Sequence, residues 1–333
     1  MSAFLVCGVS GIELDCKERR ELDRLRPGGV VLFARNVAGR AQLAELVGEL
    51  RALRSRPYVA VDLEGGSVNR LQGLIGPLPS AAAAARAGLR AVRALGAAAG
   101  TACAHFGIGA DLAPVLDVAH HDGWLGAEAR CLGDGAEPVR VAAEAFLDAL
   151  ESYGVGACLK HYPGLGSGAV DSHRTLPVLD ERVRDDRGVF AALACRARAV
   201  MVAHALAPAL GGRMPASLSA EIIGELRRLR CGPVIADDLE MSALAAYGSM
   251  PERAVAALRA GCDQVLVCNA LGERGAAAAH VREQAKREPA LARALRRAAR
   301  AARGFGHGEL TPVTWSRVQR LAERARVLAG GAA

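Results

Sequence analysis

Eight short apolar runs alternate with longer amphipathic segments along this chain. The segment 41–53 (AQLAELVGELRAL), for example, repeats its apolar residues with the 3.6-residue period of an amphipathic helix. Eight strand-then-helix units predict a single α/β domain, a (β/α)8 barrel of TIM type, whose strands are buried on both faces and therefore read as unbroken apolar runs. A doubly wound open sheet is the alternative fold. The runs are 4–7, 29–33, 58–61, 110–116, 156–160, 200–203, 233–236 and 264–268.

No linker or shift in composition divides the chain, so we expect one barrel domain over residues 1–333 with a helical C-terminal tail from about residue 305. Hydrophobic residues make up 51% of the chain and aromatic residues only 4%, which predicts a core of Ala, Val and Leu. Such a core is typical of short parallel strands covered by helices.

The charge pattern argues against nucleic-acid binding. The chain carries a net charge of +7, but its basic residues are mixed with acidic ones, as in 181–187 (ERVRDDR). The start of the chain lacks the basic region of a signal peptide, and no segment has the length and character of a membrane span. We therefore expect a monomeric cytoplasmic protein with no nucleic-acid or membrane partner.

The cysteines do not predict a disulfide framework or a zinc site. There are nine of them, an odd number, spread from Cys7 to Cys268 without a CxxC pair. We expect buried, reduced thiols. No cluster of His, Asp or Glu has ligand spacing suited to a closed metal site either, so we expect no metal and no other cofactor.

Polar residues directly follow six of the eight apolar runs. In a barrel these strand ends converge on the C-terminal face, where barrel enzymes place their chemistry. A single Asp at such a position is more often a helix cap or turn residue, but six polar ends together are harder to explain in that way. A mouth lined with carboxylates, a lysine and two histidines suits a polyhydroxylated, uncharged ligand. The residues are Asp62 and Glu64, Asp117, Lys160 and His161, His204, Asp237 and Asp238, and Asn269.

The segment 160–173 (KHYPGLGSGAVDSH) combines a strand end with a glycine-containing loop. The loop carries Asp171 and His173, two residues apart, and its glycines allow it to move over a pocket. An aspartate that accepts a hydrogen bond from an imidazole fixes the tautomer of the ring, which makes a usable general acid. Taken alone, a solvent-exposed loop histidine beside a turn-forming aspartate explains this spacing equally well.

Seven segments in a consistent order carry a resemblance to a known family. They are 28–36 (GGVVLFARN), 60–71 (AVDLEGGSVNRL), 113–118 (APVLDV), 160–166 (KHYPGLG), 169–173 (AVDSH), 234–241 (VIADDLEM) and 260–269 (AGCDQVLVCN). Together they resemble family 3 glycoside hydrolases, specifically the single-domain bacterial β-N-acetylhexosaminidases that trim peptidoglycan fragments.

The resemblance implies a role for eleven residues. Asp237 is expected to be the nucleophile of a retaining reaction, with His173 as general acid and base and Asp171 as its assistant. In most retaining glycosidases a second carboxylic acid takes the position that histidine takes here. The resemblance further implies sugar contacts from Asp62, Arg70, Arg130, Lys160 and His161. Weaker candidates for the lining of the same pocket are Glu64, His204 and Met241.

We therefore expect an exo-glycosidase that removes terminal β-linked N-acetylglucosamine from a small saccharide or a muropeptide, in peptidoglycan recycling. Two variants within the family stay open: cleavage of β-glucosides, and phosphorolysis, because a neutral histidine repels incoming phosphate less than a carboxylate does. Two alternatives come from other classes. Lys160 could form a Schiff base as in lysine-dependent aldolases, or the barrel could bind sugar without cleaving it.

Overall fold

The computed structural model describes residues 2–330, so both ends of the expected domain, Met1 and 331–333, lie outside the described residues. Eight parallel strands form a closed barrel in which neighbours follow chain order and the last strand pairs with the first. This confirms the predicted (β/α)8 barrel and excludes the alternative of an open sheet. The strands are β1 (Ser2–Cys7), β2 (Pro27–Leu32), β3 (Tyr58–Val61), β4 (Ala110–Asp111), β5 (Gly156–Tyr162), β6 (Ala199–Val202), β7 (Val234–Asp238) and β8 (Gln264–Val267).

Helices surround the barrel and none of those within residues 2–330 combines the length and the apolar character needed to cross a membrane. They are α1 (Cys16–Leu25), α2 (Arg40–Arg51), α3 (Gln72–Ile75), α4 (Ala81–Arg86), α5 (Leu89–Phe106), α6 (Trp124–Ala127), α7 (Ala136–Glu151), α8 (Val183–Leu193), α9 (Ala220–Arg228), α10 (Met250–Ala260), α11 (Glu273–Arg287), α12 (Pro289–Gly304) and α13 (Trp315–Leu328). Short 3-10 turns span Ala34–Asn36, Ala194–Arg196, Pro208–Leu210, Ala216–Leu218 and Ser242–Leu244, and a hairpin pairs Leu63–Gly65 with Val68–Asn69.

The barrel interior is filled by every second strand residue. Val31 and Met201, for example, pack inside the barrel, while the residues beside them in sequence pack against the helices. The N-terminal end of the interior is closed by Tyr58 and Phe305, whose rings meet edge to face with centroids 4.9 Å apart. The segment expected to be a C-terminal tail thus begins inside the barrel, before α13 packs along α5. The C-terminal end of the interior stays open.

The fourth strand is shorter than predicted. The apolar run 110–116 is regularly paired only over Ala110–Asp111, with a single further bridge between Val115 and Lys160. Pro114 explains the difference, because it has no N–H to donate to a neighbouring strand. The chain still follows the barrel wall, since the N–H of Leu116 donates to the carbonyl of Lys160 at 2.7 Å.

The expectation of buried cysteines is wrong for three of the nine. Cys16 and Cys195 are exposed and Cys231 is half-buried. Cys16 is the first residue of α1 and Cys195 lies in a surface 3-10 turn, so neither faces the core. The other six are buried and all nine are free thiols.

Candidate active site

A cavity of about 260 Å³ opens at the carboxyl ends of the strands. Its floor is made by residues of the barrel interior, among them Leu112, Met201 and Leu266. This is the position at which barrel enzymes place their reacting groups. Eight of the eleven predicted site residues line it: Asp62, Glu64, Arg70, Arg130, Lys160, His161, His173 and Asp237.

A buried ion network occupies one wall of this cavity. The Lys160 ammonium contacts Asp62 Oδ1 at 2.8 Å and Glu64 Oε1 at 2.7 Å. Arg130 donates from Nε and Nη2 to the two oxygens of Glu64, both at 2.8 Å. Glu64 is only 3% exposed and both its oxygens are occupied, so it orients Lys160 and Arg130 rather than reaching for a ligand. The carboxylate of Asp62 is more available to a ligand than that of Glu64, because its second oxygen, Oδ2, lies 3.8 Å from Arg70 Nε.

The network fixes the charges of its members. Burial would raise the pKa of Glu64, but Lys160 and Arg130 outweigh burial and hold that pKa well below its usual range. Burial would likewise lower the pKa of Lys160, and the carboxylates of Asp62 and Glu64 reverse the effect and raise it. Lys160 therefore stays protonated and positively charged at neutral pH. Schiff-base formation needs a neutral amine, so this environment disfavours the alternative of a lysine-dependent aldolase.

His161 is held by Asp117, an aspartate that the sequence predicted at the mouth of the barrel but to which it assigned no role. Asp117 Oδ2 lies 2.7 Å from His161 Nδ1, and Asp117 Oδ1 accepts the N–H groups of His161 at 3.3 Å and Leu165 at 2.6 Å. Asp117 is fully buried. One residue thus sets the orientation of the ring and the path of the chain where it leaves β5. The available signal was its position directly after the fourth apolar run.

The two aspartates at the end of β7 differ in their electrostatic surroundings. Burial would raise the pKa of Asp237, but His204, His161 and the backbone N–H of Asp238 outweigh burial and lower it. That N–H donates to Asp237 Oδ1 at 2.8 Å. Burial, with a contribution from Glu240, raises the pKa of Asp238 to about 7. Asp237 is therefore the carboxylate that stays ionised at neutral pH.

His204 and Met241 are corrected by the structure, because neither lines the cavity. Both bind the carbonyl oxygen of Asp238, His204 through Nε2 at 2.9 Å and Met241 through its backbone N–H at 3.0 Å. His204 Nδ1 lies 2.7 Å from Ser217 Oγ, and its side chain is completely buried. Burial lowers the pKa of His204. These two residues fix the turn that follows Asp237.

Asp171 and His173 form a hydrogen-bonded pair on the loop after β5. Asp171 Oδ1 accepts the backbone N–H of His173 at 2.9 Å and lies 2.8 Å from His173 Nδ1. Burial would raise the pKa of Asp171, and the two groups of His173 outweigh it and lower that pKa. An ionised Asp171 needs a proton on Nδ1, which leaves Nε2 of His173 for proton exchange. The imidazole lines the cavity and is 65% exposed, whereas Asp171 is set back from the lining.

The loop is docked onto the segment that follows Asp237. The carbonyl oxygens of Ser172 and His173 accept the N–H groups of Ala243 at 3.4 Å and Ser242 at 3.3 Å. Ser172 is buried while His173 is exposed. These contacts hold the imidazole at the cavity that Asp237 also lines.

Several lining residues were missed from the sequence. Trp124 and Glu128 come from α6 and the turn after it, and the Arg130 guanidinium lies 5.7 Å from the centre of the Trp124 ring. Phe33 lies beside Arg70 in the same way, at 6.0 Å. Neither aromatic ring follows a periodic pattern that would have marked it.

The chain is similar to a known protein family and to several named enzymes. Residues 8–301 match the family described as Glycosyl hydrolase family 3 N terminal domain. The chain is 33% identical over 280 residues to a β-hexosaminidase of Idiomarina loihiensis, covering 80% of this chain and 84% of that protein. It is 37% identical over 276 residues to a β-hexosaminidase of Methylococcus capsulatus, covering 78% and 80%.

Two solved structures resemble the fold over nearly the whole chain. A glycoside hydrolase family 3 β-N-acetylglucosaminidase from Paenibacillus matches with a TM-score of 0.86 and 28% identity, covering 98% of this chain and 68% of that chain. NagZ from Neisseria gonorrhoeae, solved in complex with N-trifluoroacetyl-D-glucosamine, matches with a TM-score of 0.76 and 27% identity, covering 98% of each chain.

Proposed function

Because the chain belongs to glycosyl hydrolase family 3, we propose that this β-N-acetylhexosaminidase removes terminal β-linked N-acetylglucosamine from peptidoglycan fragments through a covalent glycosyl-aspartate. The family is the one expected from the seven sequence segments. One observation carries the proposal: a single cavity is lined by a low-pKa carboxylate, Asp237, and by an imidazole, His173, that is paired with a second carboxylate.

Asp237 has the properties required of the nucleophile. Its lowered pKa keeps it anionic at neutral pH, and the hydrogen bond from the Asp238 N–H orients one of its oxygens. In the first step the carboxylate attacks the anomeric carbon and the bond to the leaving oxygen breaks. In the second step water attacks the same carbon and frees Asp237, which gives overall retention of configuration.

His173 has the properties required of the proton donor and acceptor. Its Nε2 protonates the leaving oxygen in the first step and takes a proton from water in the second. Asp171 holds the ring through Nδ1 and stabilises the imidazolium form, which is present before the first transfer and again after the second. Asp171 is a positioning residue in this scheme because it does not line the cavity.

The size and polarity of the cavity support removal of one sugar at a time. Its volume of about 260 Å³ lies below the range of about 300–1,000 Å³ typical of pockets for drug-sized ligands, so it suits a single ring. Asp62, Lys160 and His161 present acceptors and donors to the hydroxyl groups of that ring. The rest of a muropeptide would then extend past Trp124 and Glu128 toward solvent.

The proposal is tested by the hydrolysis of aryl β-N-acetylglucosaminide and aryl β-glucoside by wild type, Asp237→Asn and His173→Ala. We expect strong preference for the acetamido sugar, release of N-acetylglucosamine from purified muropeptides, and loss of activity in both variants with an unchanged circular dichroism spectrum. Full activity of Asp237→Asn, or cleavage of neither substrate by wild type, would contradict the proposal. The second of these results would favour a barrel that binds sugar without cleaving it.

The acceptor in the second step is tested separately. Product analysis in phosphate and in phosphate-free buffer distinguishes hydrolysis, which gives free sugar in both, from phosphorolysis, which gives sugar 1-phosphate in the first. We expect free sugar. The monomeric state, the cytoplasmic location and the absence of nucleic-acid and membrane partners stay predictions, to be checked by sedimentation and cell fractionation.

A further inference from the structure

A groove on the outside of the barrel, away from the catalytic cavity, is lined by four arginines. Arg90 and Arg93 extend from α5, and Arg317 and Arg324 extend from α13, on two helices that pack side by side. The groove has a volume of about 340 Å³. Within the described part of the chain, no carboxylate contributes to its lining.

Helix geometry explains why these side chains converge. Arg90 and Arg93 are three residues apart, and Arg317 and Arg324 are seven apart, so each pair lies on one face of its helix. Between the two rows the floor is made of small residues, Ala94, Ala97 and Ala149. Small side chains on the floor and long ones on the walls produce a hollow rather than a flat basic surface.

The charge of this groove is not compensated by neighbouring side chains. Elsewhere on α13, Arg326 pairs with Glu323 at 2.5 Å, as a surface arginine commonly does. In the groove, Arg317 donates to the hydroxyl of Tyr153 at 3.2 Å, and no ion pair involves Arg90, Arg93 or Arg324 among residues 2–330. Four guanidinium groups that share one hollow without a counter-charge repel each other, and an anion would relieve that repulsion.

We propose that this groove binds a small molecule carrying two or more phosphate groups. A phosphate monoester carries about −1.5 to −2 at neutral pH, so two such groups balance four arginines, whereas two carboxylates do not. The guanidinium fork matches phosphate oxygens in bidentate fashion. Arg317 and Arg324 are two helical turns apart, about 10 Å along the axis, which is the reach of a short phosphate chain or a diphosphate ester.

The site is independent of sugar cleavage, because none of its residues lines the catalytic cavity. Calorimetric titration of the full chain with tripolyphosphate at about 150 mM salt tests it, alongside Arg93→Gln/Arg324→Gln. The matched control is Arg20→Gln/Arg24→Gln, which removes two exposed arginines from α1 outside the groove. We expect saturable one-to-one binding that weakens at least about tenfold in the groove variant and stays within about twofold in the control. Aryl glycoside hydrolysis should be unchanged in both variants, which shows that they are folded.

Pyrophosphate and a nucleoside diphosphate, titrated in parallel, distinguish two sources of the same chemistry. Tighter binding of the nucleotide assigns the groove to a nucleotide, and equal binding assigns it to the phosphate chain alone; both support the proposal. Absence of saturable binding, or equal affinity in the groove variant and wild type, would overturn it. Binding confined to anionic vesicles or to RNA would overturn it as well, because these are ligands of another class.

Discussion

Replacing Asp117 with Asn should impair the enzyme although Asp117 itself does not line the cavity. Asp117 is fully buried, and its Oδ2 contacts His161 Nδ1 at 2.7 Å. A carboxylate accepts the Nδ1–H and leaves Nε2 as an acceptor toward the sugar. The Asn amide can keep its oxygen on the backbone N–H groups of His161 and Leu165, which turns its NH2 group toward the ring. His161 must then carry its proton on Nε2, so a substrate hydroxyl meets a donor where it needs an acceptor.

The size of the effect follows from the bond that is lost. Leaving a buried polar group without its hydrogen-bond partner costs about 1–3 kcal/mol, and about 1.4 kcal/mol corresponds to a factor of ten. The value of kcat/KM for an aryl β-N-acetylglucosaminide should therefore fall by about 5- to 150-fold. Steady-state kinetics measures the fall, and urea unfolding of the same variant measures the change in stability.

Asp186→Asn provides the matched control. Asp186 is equally buried and its Oδ1 accepts the Val118 N–H at 2.5 Å, but burial and the neighbouring Asp117 raise its pKa well above the usual range. An amide closely mimics a protonated carboxyl group, so this variant should stay within about threefold of wild-type kcat/KM. If Asp117→Asn also stays within threefold, or if the control falls equally, then Asp117 has no specific role through His161.

Three further predictions concern other charged residues. Asp171→Asn should lower kcat/KM by about 10²- to 10⁴-fold through the wrong tautomer of His173, and retention of a tenth of the activity in steady-state assays would contradict this role. Glu64→Gln leaves two buried cations without their shared counter-charge and should cost about 3 kcal/mol or more in urea unfolding, whereas an unchanged midpoint would refute the orienting role. Asp111 is fully buried, and burial raises its pKa to about 8, so the folded state binds a proton that the unfolded state releases above about pH 4. The stability that Asp111 contributes is complete below that value and is lost as the pH rises toward 8. The free energy of unfolding of Asp111→Asn should therefore rise relative to that of wild type by up to about 1.4 kcal/mol per pH unit between pH 5 and 7. Parallel curves of stability against pH for the two proteins would exclude the raised pKa of Asp111.

The barrel could be predicted because its signal is local and repeated. Each strand is buried on both faces and reads as an apolar run, and each helix shows its own period. The length of β4 could not be predicted from hydrophobicity, since Pro114 interrupts the pairing without making the segment less apolar. The position of Phe305 inside the barrel could not be predicted either, because Phe305 packs against Tyr58, a residue far away in the sequence.

Half of the site could be predicted because parallel strand ends converge in any barrel. That rule correctly brings Asp62, Lys160 and Asp237 to one cavity. It does not say which way a polar side chain points once the strand ends. His204 also follows a strand, yet its ring turns to the carbonyl of Asp238 instead of the cavity. Nor does the rule distinguish a residue that contacts the ligand from one, such as Glu64, that orients the neighbouring side chains.

Covalent trapping of the glycosyl-enzyme tests the assignment of the nucleophile most directly. The protein would be inactivated with a fluorinated N-acetylglucosamine analogue that slows the second step, then digested and analysed by mass spectrometry. We predict one sugar per chain, attached to Asp237, and no label in Asp237→Asn. A label on the adjacent Asp238, or rapid turnover of the analogue with no covalent species at any time, would contradict the account.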